Sequence, residues 1–78
     1  MKYYYCDCFI GSFVSRETGK GQPFYRLLLK AVDEQGGVNF ALHKCSKSVY
    51  EQTLQIDRGA ELHGLYYDRY GRVSLLDL

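Results

Sequence analysis

Basic and aromatic side chains lie close together in two parts of this sequence, and the combination is suited to binding single-stranded nucleic acid. Lysine and arginine attract phosphates, while an aromatic ring can stack on the face of any base. Such stacking contributes about 1–3 kcal/mol per base and tolerates any base sequence. The candidate binding residues are Arg16, Lys20, Phe24, Arg26, Lys30, Arg69, Tyr70 and Arg72.

The charge balance sets limits on the ligand. The net charge of +1 is lower than the strongly basic charge typical of duplex-DNA-binding domains. Residues 1–47 contain seven Lys/Arg and four Asp/Glu, a balance of +3, whereas residues 48–78 contain three and five, a balance of −2. A face built from the N-terminal half would be positive. We therefore expect binding led by stacking, with a shallow dependence on salt concentration.

The same aromatic side chains would also suit a protein interface. The chain contains eight tyrosines and four phenylalanines, and aromatic residues and arginine are enriched at interface hot spots. A tyrosine-rich surface could therefore bind another protein without any nucleic acid. Interleaving of basic and aromatic residues is needed for nucleic acid and optional for protein, and it favours the first alternative.

Catalytic and metal-binding patterns are weak. His43 and Cys45 would share one face of a strand, so a thiolate–imidazole pair is conceivable, but no third orienting group is evident. Cys6 and Cys8 would likewise share a face and behave as small core residues. Without a Cys-x-x-Cys pair, they are a weak zinc signal. We expect no enzyme activity, no cofactor and no metal.

Length and composition indicate one small folded domain spanning residues 1–78. Hydrophobic residues make up 46% of the chain and charged residues 24%, which excludes disorder. No apolar run is long enough to span a membrane, and the N-terminal residues lack the apolar core of a signal peptide. We therefore expect a cytoplasmic protein without a membrane partner. Small domains often gain stability by self-association, which predicts a homodimer or higher oligomer.

Period-2 alternation predicts three strands in the first part of the chain, at Tyr3–Ser15, Phe24–Val32 and Val38–Lys44. Asp33–Gly37 is the strongest turn signal and predicts a hairpin. The second strand has one apolar side that we expect in the core, composed of Tyr25, Leu27, Leu29 and Ala31.

The first strand has no clearly polar face, so we expect it to be covered on both sides for part of its length. Gly11 at its centre predicts a bend or bulge. Phe9 and Phe13 are expected in the core rather than on a stacking surface, because every strand must bury one face.

A short helix is predicted at Ser46–Ile56, where Ser48 and Glu51 match a capping box. Two more strands follow, at Ala60–Tyr67 and Val73–Leu78. The order predicts an all-β domain, a five-stranded OB-like barrel with the helix between strands 3 and 4. An SH3-like barrel is the structural alternative, although it usually lacks a helix in that connection.

Three segments resemble the single-stranded-DNA-binding proteins of filamentous phages: Gly19–Tyr25, Gly59–Leu65 and Asp68–Leu75. In such proteins a Gly-Lys-Pro-aromatic segment follows the first loop, and a glycine-containing hairpin precedes the last strand. The resemblance implies an OB-fold protein of a phage or mobile element. It also implies binding of single-stranded nucleic acid with little sequence preference, with DNA favoured over RNA.

Overall fold

A computed structural model describes all residues from Met1 to Leu78 and contains six strands and one helix. This confirms the predicted mostly-β class, with one short helix between the third and fourth strands. The elements are β1 Lys2–Val14, β2 Gly21–Val32, β3 Val38–Cys45, α1 Lys47–Thr53, β4 Glu61–Leu62, β5 Gly64–Tyr67 and β6 Val73–Asp77.

The six strands form one open sheet in the order β4-β1-β2-β3-β6-β5, not a closed five-stranded barrel. Neighbouring strands are antiparallel except β3 and β6, which pair in parallel with Cys45 opposite Val73. The predicted strand Ala60–Tyr67 is divided at His63. Its first piece pairs with β1 and its second with β6, so the chain bends between two hydrogen-bonding partners.

A bulge in β1 controls which side chains face the core. Tyr5 lies opposite Leu29, but Asp7 lies opposite Leu28, so one extra residue of β1 is inserted between these pairs. The predicted irregularity at Gly11 is therefore at Cys6 instead. Because the bulge reverses the alternation, Tyr5 and Cys8 both pack in the core. Cys8 lies opposite Leu27, whereas Cys6 is the inserted residue and has no cross-strand partner.

The core lies between α1 and the inner face of β1, β2 and β3. Leu27 and Leu29 are almost completely buried, as predicted from the alternation of β2, and Tyr25 packs beside them. Val49 from α1 closes the core from the other side. The remaining buried apolar residues of this cluster are Tyr5, Cys45, Leu62, Val73 and Leu76.

The helix has its N-cap two residues before the predicted one. Ser46 is the N-cap, because its hydroxyl oxygen accepts a hydrogen bond from the Val49 backbone N–H at 3.2 Å. The capping box predicted at Ser48 is therefore wrong. The helix ends at Thr53 rather than at Ile56. It has seven residues, and the chain has no helix with the length and apolar character needed to cross a membrane.

Two adjacent leucines of β6 provide a test of this arrangement. Leu76 is 4% exposed in the core, whereas Leu75 is 57% exposed. Leu76→Ala should lower the free energy of unfolding by about 2–5 kcal/mol, because it leaves a cavity. Leu75→Ala should change it by less than about 1 kcal/mol. Chemical denaturation of both variants measures the difference, and equal losses would contradict the orientation of β6.

Candidate nucleic-acid interface

The side of β1, β2 and β3 that faces away from α1, here called the outer face, carries all four phenylalanines of the chain. Register partners in neighbouring strands share a face. Phe9 lies opposite Arg26, Gly11 opposite Phe24, Phe13 opposite Gln22 and Phe40 opposite Lys30.

Phe9 and Phe13 are 45% and 51% exposed, so their predicted place in the core is wrong. The reason is the bulge in β1. Without the bulge, Phe9 would lie on the same face as Tyr5, because side chains at alternate positions of a strand share a face. Phe40 is 58% exposed on the same face, and sequence reasoning did not select it. Exposed rings on one face are the component of the site that could stack on bases.

Basic side chains lie among these rings. The guanidinium carbon of Arg26 lies 4.9 Å from the centre of the Phe24 ring. The Lys30 amine lies 5.1 Å from the centre of the Tyr4 ring, also on the outer face. These are cation–π distances, and each positive charge is held directly over an aromatic surface. Phosphates and bases could therefore be contacted side by side.

Gly11 determines where the Phe24 ring lies. A Cβ atom added at Gly11 would overlap the end of this ring, so the ring crosses β1 in the space that a side chain would fill. The absence of a side chain at Gly11 thus leaves the space that the end of the Phe24 ring occupies. Sequence reasoning attributed Gly11 to a bend, and nothing in the sequence alone indicates this contact.

A groove of about 620 Å³ opens where β2 begins and β3 ends. Four basic residues line it and no acidic residue does. Its lining consists of Phe13, Gln22, Pro23, Phe24, Tyr25, Arg26, Lys44, Cys45, Lys47 and Arg72. The concentration of positive charge in one concave surface is suited to an anionic ligand.

Lys44 and Lys47 are the basic residues of this groove that sequence reasoning missed. For Lys44 a signal existed. The hairpin predicted at Asp33–Gly37 fixes an antiparallel register that sets Lys44 directly opposite Arg26, as observed. Lys47 has no comparable signal, since its position depends on where α1 begins.

A second, shallower groove of about 390 Å³ continues along the outer face. It is lined mainly by apolar side chains, and it shares Phe24 and Arg26 with the first groove. Phe9 and Leu42 form its opposite walls. The two grooves are therefore neighbouring parts of one surface with Phe24 and Arg26 at the junction.

The turn between β5 and β6 presents Tyr70 to solvent at 66% exposure. The Arg69 guanidinium donates a hydrogen bond to the Tyr70 hydroxyl at 2.7 Å, and its carbon lies 4.9 Å from the ring centre. The Arg72 guanidinium carbon lies 5.7 Å from the same ring. Because Arg72 also lines the first groove, it connects this turn to the outer face.

Asp68 fixes the conformation of that turn. Its carboxylate accepts hydrogen bonds from the backbone N–H groups of Tyr70 and Arg72, and from the Arg72 side chain at 2.8 Å. The Arg72 hydrogen bond lowers the pKa of Asp68. Gly71 supplies the left-handed backbone that the turn needs, with φ of 76°. The position of Tyr70 is therefore set by the turn as a whole.

The eight predicted residues fall into three groups. Phe24, Arg26 and Arg72 line the first groove, and Lys30 lies farther along the outer face. Arg69 and Tyr70 occupy the adjacent turn. Arg16 and Lys20 are exposed in the loop between β1 and β2, outside both grooves. Six of the eight therefore form one connected surface, and two occupy its flanking loop.

The residues considered for catalysis have other partners. A hydrogen bond of 3.1 Å joins the His43 Nδ1 atom to the Tyr67 hydroxyl. Burial, together with the neighbouring Cys8 thiol, raises the pKa of Cys45 to about 11, so this thiol is protonated at neutral pH. No cluster of three or more His, Cys, Asp or Glu side chains could hold a metal ion. A thiolate–imidazole pair is thus not supported.

The chain matches no protein-family model, no curated protein and no solved structure. The resemblance to the phage proteins stays a prediction from the order of short segments. A proposal for function therefore depends on the geometry of the outer face and its two grooves.

Replacement of Gly11 by alanine tests how the Phe24 ring is held. The new methyl group should displace the ring from β1, with loss of the NMR contacts between residue 11 and the ring protons. Gly21→Ala is the matched control, because a Cβ atom there meets nothing within 4 Å and the backbone is extended. Unchanged ring contacts in Gly11→Ala would contradict the described packing.

Substitutions of Asp68 test the rigidity of the Tyr70 turn. Asp68→Asn keeps an oxygen for the two backbone amides but turns an NH₂ group toward Arg72, whereas Asp68→Ala loses every bond. We expect the melting temperature at neutral pH to fall for Asn and to fall further for Ala. Asp57→Asn, at an exposed position without such bonds, is the control.

The pH dependence of the Asp68 contribution has a defined sign. A lowered pKa in the folded state means that stabilisation is complete above the ordinary aspartate value of 3.8. It is lost as pH falls through the folded pKa. The difference between wild type and Asp68→Asn should therefore shrink in acid, and a constant difference would contradict the Arg72 interaction.

Proposed function

We propose that this protein binds single-stranded nucleic acid with little sequence preference, using the outer face and its two grooves. The observation that carries the proposal is the set of phenylalanine rings, exposed at Phe9, Phe13 and Phe40 and half-buried at Phe24, interleaved with basic side chains. Arg26, Lys30 and Lys44 form no ion pair within the chain, so their charges are available to phosphates. Rings and available charges on one face are the two requirements of such binding.

The chemistry of the outer face explains why sequence would matter little. Phenylalanine can stack on any base, and lysine and arginine contact phosphates that every nucleotide carries. The face offers few amide side chains that could read base edges, with Gln22 beside Phe13 as one example. DNA is preferred over RNA in this proposal on the basis of the resemblance to the phage proteins.

The strand connections support an OB-like relationship. β4 and β5 are consecutive pieces of chain on either side of His63, and they form the two edges of the sheet, beside β1 and β6. We interpret them as one bent strand of a partly open barrel. OB-folds bind oligonucleotides on the face of strands 2 and 3 and with two flanking loops. Here the corresponding elements are β2, β3, the loop with Arg16 and the turn with Tyr70.

The surroundings expected for such a protein are cytoplasmic. Its three cysteines are free thiols, which are typical of a reducing compartment. A pool of single-stranded nucleic acid in the same compartment would supply the ligand.

A protein interface is the second candidate function, and one observation favours it. Tyr66 and Leu75 are register partners in β5 and β6, and both are more than half exposed. Neither belongs to the basic outer face. An exposed aromatic–aliphatic pair of this kind could contact a protein partner.

Fluorescence anisotropy of a labelled oligothymidine tests the proposal. Saturable binding at low salt is expected, with affinity falling as salt rises. Phe24→Ala and Tyr70→Ala should each weaken binding by about 1–3 kcal/mol, the contribution of one stacked base. Tyr66→Ala is the matched control and should bind as wild type does. Variation of oligonucleotide length then gives the site size, expected at about 4–16 nucleotides.

The charge component has its own readout. Arg26→Gln and Lys44→Gln should each reduce the slope of log affinity against log salt by about 0.7, the contribution of one phosphate contact on a single strand. Circular dichroism confirms that every variant is folded before titration. Absence of binding by the folded wild type would overturn the nucleic-acid proposal and direct attention to the Tyr66 surface.

A further inference from the structure

One edge of β3 lacks a partner along most of its length. β2 pairs with all eight residues of β3, whereas β6 pairs with β3 only at Cys45. The edge from Val38 to Lys44 is therefore open. The outermost strands of the sheet, β4 and β5, have two and four residues. A long run of backbone therefore stays open along β3, as it does along β1 beyond Tyr5.

The backbone groups that point out of this edge can be identified. The Asp33 N–H donates to the Gly37 carbonyl at 3.0 Å, which fixes the phase of the β2–β3 hydrogen-bond ladder. Hydrogen-bonded and non-hydrogen-bonded residue pairs alternate along an antiparallel ladder. Val38, Phe40 and Leu42 belong to the non-hydrogen-bonded pairs, so their N–H and C=O groups point away from β2. These three residues form a free hydrogen-bonding edge.

Nothing protects this edge in the usual way. Open edges are commonly blocked by proline, by charged side chains or by a bulge. Val38, Phe40 and Leu42 are instead apolar and more than half exposed, and the β2–β3 register is regular. Lys44 is the first charge encountered, at the far end of the strand.

We propose that β3 pairs antiparallel with β3 of a second copy, about a two-fold axis at Phe40. In this register Phe40 lies opposite itself and Val38 lies opposite Leu42. Every free N–H and C=O group of these three residues then meets its complement. A two-fold interface requires such a self-complementary patch, and the alternating edge supplies it.

Charge complementarity favours a second copy as the occupant. The turn before β3 carries Glu34, and the end of β3 carries Lys44; neither forms an ion pair within the chain. Antiparallel pairing brings the acidic turn of one copy toward the basic end of the other, at both ends of the interface. Parallel pairing would instead place like charges together.

The dimer would enlarge the sheet and the surface that it presents. The β1, β2 and β3 strands of both copies would form one continuous sheet. Phe40 and Leu42 would lie near the axis, so the two outer faces would join into a single surface. This inference stands on the open edge and not on the proposed nucleic-acid function.

Sedimentation equilibrium of the full chain, without nucleic acid, tests the proposal. Wild type should show a reversible monomer–dimer equilibrium. Phe40→Pro removes an N–H that points away from β2, so it should preserve the hairpin while raising the dimer Kd by more than about tenfold. Phe40→Val is the matched control, since it keeps both backbone groups and should stay dimeric.

Reversal of the charges at Glu34 and Lys44 provides a second test if Phe40→Pro fails to fold. Glu34→Lys and Lys44→Glu should each weaken the dimer a few-fold, and the double variant should restore it, because the pairs form between copies. A monomeric wild type overturns the proposal. So does a folded Phe40→Pro variant that dimerises as wild type does, or a double variant no better than the single ones.

Discussion

The bulge at Cys6 is the constraint on which the rest of the structure depends. In a regular strand Phe9 and Phe13 would lie on the same side as Tyr5, which is buried in the core. One extra residue reverses the alternation, since a shift of one position exchanges the two faces of a strand. The first half of β1 therefore contributes tyrosine to the core, and the second half contributes phenylalanine to the outer face.

This exchange has an energetic consequence. α1 covers only the inner face, so the phenylalanines stay exposed instead of adding to a core that contains eight buried apolar residues. Burial of each such side chain would stabilise the fold by about 1.5–3 kcal/mol. Exposed apolar rings in a small domain are therefore difficult to explain by stability. A binding surface explains them, and Gly11, which leaves space for the Phe24 ring, belongs to the same arrangement.

The parts that sequence predicts correctly are those governed by local signals. The Asp33–Gly37 turn determines the β2–β3 register, and from it follow the burial of Leu27 and Leu29 and the pairing of Arg26 with Lys44. The bulge has no such signal, because neither glycine nor proline marks it and a single aspartate within an apolar run does not indicate an inserted residue. The misassignment of Phe9 follows directly from this. Ser48 with Glu51 matches a capping box in the sequence, yet the helix starts at Lys47, directly after the end of β3 at Cys45, so Ser46 is the N-cap.

The open edge of β3 and the outer face are connected through Phe40. Its backbone groups belong to the edge, while its side chain lies opposite Lys30 on the outer face. A ligand strand that crosses the axis would contact both copies, so binding of the second copy's surface would become effectively intramolecular. Any such ligand would bind the dimer more strongly than the monomer and would shift the equilibrium toward the dimer. Positive charge on both outer faces opposes pairing, and phosphates would neutralise that repulsion. Pairing of β3 and occupation of the outer face would then each strengthen the other, except at Lys44, whose charge faces Glu34 of the second copy in the dimer.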